Sequence, residues 1–205
     1  MTLRLVVRNL SLFPCLGALL VLTHTATGQM LGIPNFSPST IEYVPPLASA
    51  VLTRDPEQVG KLLATSESVD ERVRAKDGAR AGFTPLILAS ALSETKIARM
   101  LIQRGAKITS LDDFHRSAFW YAALNENVGL TTVLLEAPGA RNVVDTADDD
   151  LKRAPLHLAV RGGDPKLVEL LLKTGASPAQ RDSLGDTPAD YCNRRKTEAC
   201  SPITH

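Results

Sequence analysis

An all-α solenoid of stacked helical hairpins is the fold this sequence predicts, on three observations. One pattern recurs along the chain. With Pro85, Ala118, Pro155 and Pro188 taken as equivalent, the copies are spaced by 33, 37 and 33 residues, and a degenerate earlier copy sets Pro46 39 residues before Pro85. Each copy reads as a short apolar helix, a turn and a second helix with an apolar stripe at i, i+3, i+4. Alanines fall where the two helices must approach closely, at Ala89, Ala122, Ala123 and Ala159. A single hairpin of this kind cannot bury its own apolar face, whereas a stack buries it continuously.

In chain order the first segment stands apart. "MTLRLVVRNLSLFPCLGALLVLTHTATGQM" has Arg4 and Arg8 as its only charges, then an apolar run from about Leu10 to Leu22. That run is shorter than a bilayer-spanning helix needs, and Ala26-Thr27-Gly28 supplies the small residues of a cleavage site. Residues 1–28 are expected to be a secretory signal peptide, with an uncleaved membrane anchor as the alternative. "LFPC" lacks the small residues that precede a lipidated cysteine, so Cys15 is not read as a lipoprotein site. Residues 29–44 hold Pro, Ser and Gly without periodicity and read as an irregular leader or a cap over the first repeat.

Residues 45–205 are expected to form the repeat domain, with repeats starting near 45, 83, 116 and 153 and a cap near 186. Proline in the first helical turn costs nothing, because that N–H has no helical partner. Asp55-Pro56 and Asp164-Pro165 read as N-cap and first residue of second helices. Gly105 and Gly175 sit where second helices end and a left-handed residue is needed. In the fourth copy the apolar stripe is Leu167, Val168, Leu170, Leu171 and Leu172. Aromatic residues make up only 4% of the chain, so the core must rest on Leu, Ala, Val and Ile.

These copies resemble the ankyrin repeat. The resemblance rests on "TPLILAS" at Thr84 to Ser90, "APLHLAV" at Ala154 to Val160 and "TPADYCN" at Thr187 to Asn193, with the post-helix glycine of "RGAKI" and "TGASP". It runs from roughly Pro45 to Cys200 and implies about four repeats plus a truncated C-terminal capping repeat, with protruding finger loops. The chain departs from the pattern in places. Trp120 stands where the family usually has His, Ala154 replaces the usual Thr, and the loops before Pro85 and Pro155 are longer by about six and four residues.

Little in the sequence points to catalysis or to a cofactor. It contains no phosphate-binding Gly-Lys-Ser/Thr loop, no Gly-x-Ser-x-Gly elbow, no His-Glu-x-x-His and no Cys-x-x-Cys. His157 occupies the family's motif position, which implies a structural residue bonding neighbouring turns. His115 lies in a finger loop, His205 is terminal, and neither has a metal-ligand partner at suitable spacing. Asp148-Asp149-Asp150, with Asp145 nearby, does not match a calcium loop and reads as a solvated loop tip, or as a patch that steers a basic partner. No enzyme activity and no metal are expected.

Without residues 1–28 the chain keeps 21 basic against 22 acidic residues in about 177. That balance gives no ground for nucleic-acid binding, which needs a clustered basic surface. Two cysteines remain, Cys192 and Cys200. In the family's register they fall on faces that pack together in the last repeat, which implies either a structural disulfide or two free thiols. A bridge would close a loop of about nine residues and stabilise the mature chain by about 2–3 kcal/mol.

The resemblance also implies a binding scaffold that uses finger loops and the inner-helix face. Carrying the family's variable positions over selects Arg80 and Phe83, then Asp113, Phe114, Arg116 and Asn125, then Asp150, Arg153 and Arg161, with Ser183 and Asp186 in the cap. Trp120 joins them as an aromatic candidate, with core filling as the other reading; Tyr121, at a core leucine position, is read as core. On this expectation, Phe114→Ala with Arg116→Ala weakens partner binding with little change in melting temperature. The function expected is a non-catalytic periplasmic protein-binding scaffold, monomeric by itself and not inserted in a membrane. As an immunity protein it would neutralise an envelope-targeting toxin such as a secreted phospholipase; as a support factor it would serve a periplasmic enzyme such as catalase. A secreted, host-directed effector is the alternative.

Overall fold

A computed structural model describes residues 40–65, 68–77, 79–195 and 201–204. The first helices of the hairpins are α1 (Pro46–Leu52), α3 (Pro85–Ala91), α5 (Ala118–Leu124), α7 (Pro155–Gly162) and α9 (Pro188–Arg195). The second helices are α2 (Pro56–Ala64), α4 (Thr95–Gln103), α6 (Val128–Leu135), α8 (Pro165–Thr174) and the short α10 (Ser201–Thr204). Each first helix packs on the next first helix, α1 on α3, α3 on α5, α5 on α7 and α7 on α9. The second helices form a parallel outer layer in the same order. Two layers with one apolar seam between them result.

The seam is made of the expected residue types. Leu47, Val51, Leu86, Leu88, Ala89, Phe119, Ala122, Leu156 and Ala159 from the inner layer meet Val59, Ile97, Leu101, Leu130, Leu134, Leu167 and Leu171 from the outer layer, all of them buried. Burial of such side chains supplies about 1.5–3 kcal/mol each, which is why neither layer holds without the other.

Local signals set the helix starts. Asp55 accepts from the N–H groups of Glu57 and Gln58, and Asp164 from that of Lys166. Thr84 and Ser117 cap α3 and α5 by accepting from Ile87 and Trp120. At α9 Thr187 and Asp190 bond each other's backbone N–H reciprocally, at 2.8 and 3.2 Å. Ala154, lacking a hydroxyl, has the other half of that device: its N–H donates to His157 Nδ1 at 3.2 Å. With Nδ1 accepting, Nε2 carries the proton and donates to the Asp186 carbonyl at 3.2 Å, so His157 ties its own turn to the next finger.

Two features extend the all-α expectation. Residues 41–43, inside the stretch expected to be irregular, form a strand β1 (Ile41–Tyr43) that pairs antiparallel with β2 (Arg74–Ala75). Strand β2 lies in the lengthened loop before Pro85, so the extra residues there provide the partner for the entering chain. The longer connection before Pro155 is taken up by a single 3-10 turn at Ala140–Asn142, entered through Gly139 at φ 84°.

Candidate functional site

The finger loops share one local construction. Three residues before the inner helices α3, α5, α7 and α9 the backbone turns left-handed, at Gly82 (φ 64°), His115 (62°), Lys152 (53°) and Gly185 (83°). In the last three fingers a buried aspartate a few residues earlier closes the loop. Asp112 accepts from the N–H groups of Phe114 and Arg116, Asp148 from Leu151 and Arg153, and Asp182 from Leu184 and Asp186. In two fingers a tyrosine from the following helix completes the set: Tyr121 Oη donates to Asp112 and Tyr191 Oη to Asp182, both at 2.7 Å. Leu158 stands at the equivalent place in α7, and there Arg116 approaches Asp148 at 3.9 Å instead.

The same hydrogen-bond set gives opposite titration behaviour in these two fingers. Burial raises the Asp112 carboxyl above its ordinary range despite the bonds from Tyr121, Arg116 and Phe114. Asp182, in the last finger, is pushed the same way by burial. There the bonds from Tyr191, Asp186 and Leu184 prevail and hold it low.

Between the second and fourth copies the fingers are joined by arginines stacked on rings. Phe114 lies between the guanidinium groups of Arg80 and Arg116, at 4.4 and 4.9 Å from the ring centre, and Arg116 also covers Trp120 at 4.4 Å. Arg80 donates to the Asp113 carbonyl and pairs with Asp149 at 2.9 Å, while Arg116 pairs with Asp150 at 2.7 Å. The Trp120 indole N–H donates to the Arg153 carbonyl. Arg116 Nε and Nη1 and Arg153 Nε are buried with no hydrogen-bond acceptor among the described residues. For Arg116 the covering rings fit a weakly hydrated planar cation.

This geometry corrects several sequence expectations. Phe83 (1% exposed), Phe114 (5%) and Arg116 (5%) are interior residues, although their register placed them on the surface, and Trp120 (6%) follows its core-filling reading. The acidic run is solvated as expected at Asp149 and Asp150, but not at Asp148. Asp148 is buried and closes its finger, while Asp149 and Asp150 hold Arg80 and Arg116. Asn125 spends its amide on the carbonyls of Ser90 and Ala91 at the end of α3. Asp113 is exposed yet accepts from the Ala81 N–H, and Arg153 and Arg161 are half-buried. Ser183 is exposed and Asp186 half-buried in the last finger, where Asp186 pairs with Arg194. Cys192 is buried in α9, and Cys200 lies outside the described residues.

Two family models match this chain, one for three copies of the ankyrin repeat over residues 107–182 and one for a single ankyrin repeat over 81–113. The chain is built of ankyrin repeats. It is similar to the bovine protein named "Mitochondrial disaggregase", 27% identical over 81% of this chain and 23% of that protein. It also resembles "Neurogenic locus notch homolog protein 1" of Xenopus tropicalis, 32% identical over 56% of this chain and 4% of that protein. "Inversin" of chicken is 32% identical over 43% of this chain and 8% of that protein. The chain therefore spans less than a quarter of the length of these curated relatives. Ankyrin repeats as a family serve as interaction scaffolds rather than catalysts.

In this ankyrin array two exposed apolar finger residues were passed over by the sequence reading. Leu151 and Leu184 are 39% and 71% exposed, the exposed large apolar side chains among the described residues. Both stand four residues before an inner helix, as Ala81 and Phe114 do, so aligning the fingers alone would have grouped them. At the other end of the array a cavity of about 330 Å³ opens beside α1 and α2, lined by Tyr43, Val44, Pro46, Ala50, Thr53 and Leu62 among others. Among the described residues no helix is long and apolar enough to cross a membrane, and no group of three His, Cys, Asp or Glu side chains could hold a metal ion.

Proposed function

We propose that this chain is a non-catalytic protein-binding scaffold exported to the periplasm, where it acts as an immunity protein against an envelope-targeting toxin such as a secreted phospholipase. The observation that carries the reading is the finger edge. Exposed Arg80, Asp113, Asp149 and Asp150 are held by contacts with one another and with buried Arg116, which gives a preorganised polar surface and not a loose set of reactive groups. The apolar run and small residues at positions 10–28 support export. A small, exported, rigid binder also suits support of a periplasmic enzyme such as catalase.

Cys192 carries no free thiol, and we propose Cys200 as its partner, since Cys15 belongs to the segment removed on export. The bridge would staple the truncated last repeat, and an oxidising compartment would maintain it. The test is fractionation of cells producing the full-length chain, with mass determination of the product and capture of whatever co-purifies. Release of residues 1–28, periplasmic recovery and an envelope hydrolase or peroxide-defence enzyme in the complex support the proposal. Recovery in the medium bound to a host protein favours a secreted effector, and unprocessed chain in the cytosol rejects both.

A further inference from the structure

The third residues of the inner helices α3, α5, α7 and α9 are Ile87, Trp120, His157 and Asp190. One place in the fold therefore meets the following finger with different chemistry in each copy. Ile87 is buried and offers no polar group. The Trp120 indole N–H donates to the Arg153 carbonyl at 3.1 Å, and His157 Nε2–H donates to the equivalent Asp186 carbonyl at 3.2 Å. An indole keeps its single N–H at every ordinary pH, whereas an imidazole changes charge near neutrality.

Geometry allows His157 one protonation state. Ala154 is 0% exposed, so bulk water does not reach its N–H, and its acceptor is His157 Nδ1 at 3.2 Å. Nε2 already carries the proton given to Asp186. A second proton can bind only at Nδ1, where it would meet the Ala154 N–H donor to donor and leave that buried group without an acceptor. The imidazolium fits only after the ring leaves this position, and leaving breaks the bond to Asp186. Few other polar contacts hold these two fingers. The Ser183 N–H donates to the Leu151 carbonyl at 2.9 Å, and Arg153 approaches Tyr191. Among the described residues no ion pair crosses between 148–153 and 182–186, whereas Arg80 and Arg116 reach across to Asp149 and Asp150 at the preceding junction.

The charged groups around the ring are accounted for. From the next finger Asp182, the Asp186 carbonyl and the Gln180 backbone favour the cation, and Arg153 opposes it. The Tyr191 ring of α9 lies edge-on at 5.8 Å; on the same helix Asp190 is bound to Thr187 and Arg194 to Asp186. Helix α5 has no charged side chain, those of α8 (Lys166, Glu169 and Lys173) are exposed, and Arg161 stands in the last turn of α7.

We propose that His157 is a proton-operated latch, which in its neutral form locks finger 182–186 onto finger 148–153 and on acidification releases it while the Trp120 junction stays closed. Burial holds the imidazole of the closed form below 6.5, and opening returns it to that ordinary value. The open form thus takes the proton first, so opening is suppressed above pH 6.5 and favoured as pH falls below it. The latch belongs to the fold and does not depend on what the array binds.

Amide hydrogen exchange on the full chain as purified, between pH 7.5 and 5.5 and corrected for the intrinsic rate, tests the latch. Protection at Ala154, Ser183 and Gly185 should fall below pH 6.5 by up to about tenfold per pH unit, the limit for one proton. His157→Gln should remove that dependence, and the part it removes should be absent at Asp149, whose N–H bonds the Phe114 carbonyl. Should that variant fail to fold, a side-chain nitrogen titration of the native chain gives a second reading. The His157 signal and the amides at 154 and 182–187 should move with one midpoint below 6.5, separate from that of His115. Undiminished protection down to pH 5.5, a loss that persists in His157→Gln, an equal His157-dependent loss at Asp149, or protonation of His157 without movement of those amides would each overturn the proposal.

Discussion

At Arg116 a charged side chain has become part of the interior, with Phe114 on one face, Trp120 on the other and Asp150 at its tip. Truncation here removes packing as well as charge. Phe114→Ala alone should cost about 3–4 kcal/mol and lower Tm by roughly 10 °C, read by thermal unfolding followed by circular dichroism. The Phe114→Ala, Arg116→Ala pair is therefore a stability variant, contrary to what its register implied. An unchanged Tm would show that the ring is not buried. His157 makes the second prediction. Burial holds its imidazole below the ordinary value of 6.5 even though the Asp186 carbonyl and Asp182 favour the cation. The unfolded chain then binds the proton first, so the stability that neutral His157 contributes is intact above about pH 6.5 and is lost as pH falls below it. Urea midpoints measured between pH 7.5 and 5.5 should drop more steeply for the native chain than for His157→Gln, and equal slopes would exclude the residue as the source.

The finger loop is the element whose geometry decides most of the site. A Cβ on Gly82 would lie 2.2 Å from Asp113 Oδ1 and 3.0 Å from the Asp113 nitrogen, at a φ of +64°. Asp113 cannot withdraw without losing its bond from the Ala81 N–H, so Gly82→Ala should destabilise by about 2 kcal/mol or more in urea unfolding. Lys152 occupies the equivalent left-handed position with a side chain, at φ 53°, and its exposed pairing with Asp149 is worth little. Lys152→Gly should therefore stabilise, by about 0.5–1 kcal/mol. A loss in that variant would mean that the side chain packs. The helices were readable beforehand because Pro85, Pro155, Asp55 and Asp164 act on their own neighbours. The finger interiors were not, since burial of Phe114 depends on Arg80 and Arg116 arriving from other loops. Leu184 was missed for the converse reason: among the described residues no other finger covers it.

Across the whole molecule, two helical layers give a stack in which every repeat leans on its neighbours, so its ends differ from its middle. Near the N-terminal end of the described array β1 pairs with β2, and the last repeat has Cys192 buried in α9. If Cys192 and Cys200 pair, unfolded but unreduced mature chain shows no reactive thiol in a colorimetric count. Reduction should then lower Tm by several degrees through release of the last hairpin, whereas two reactive thiols in the unreduced chain would eliminate the bridge. The central claim is that an exported array binds its partner through the finger side and not through the outer helices. Photo-crosslinking in living cells tests it most directly, with the reactive residue placed at Ser183 on the last finger or at Arg99 on α4. The account predicts one dominant cell-envelope protein joined to position 183 and none to position 99; joining at 99 alone would contradict it.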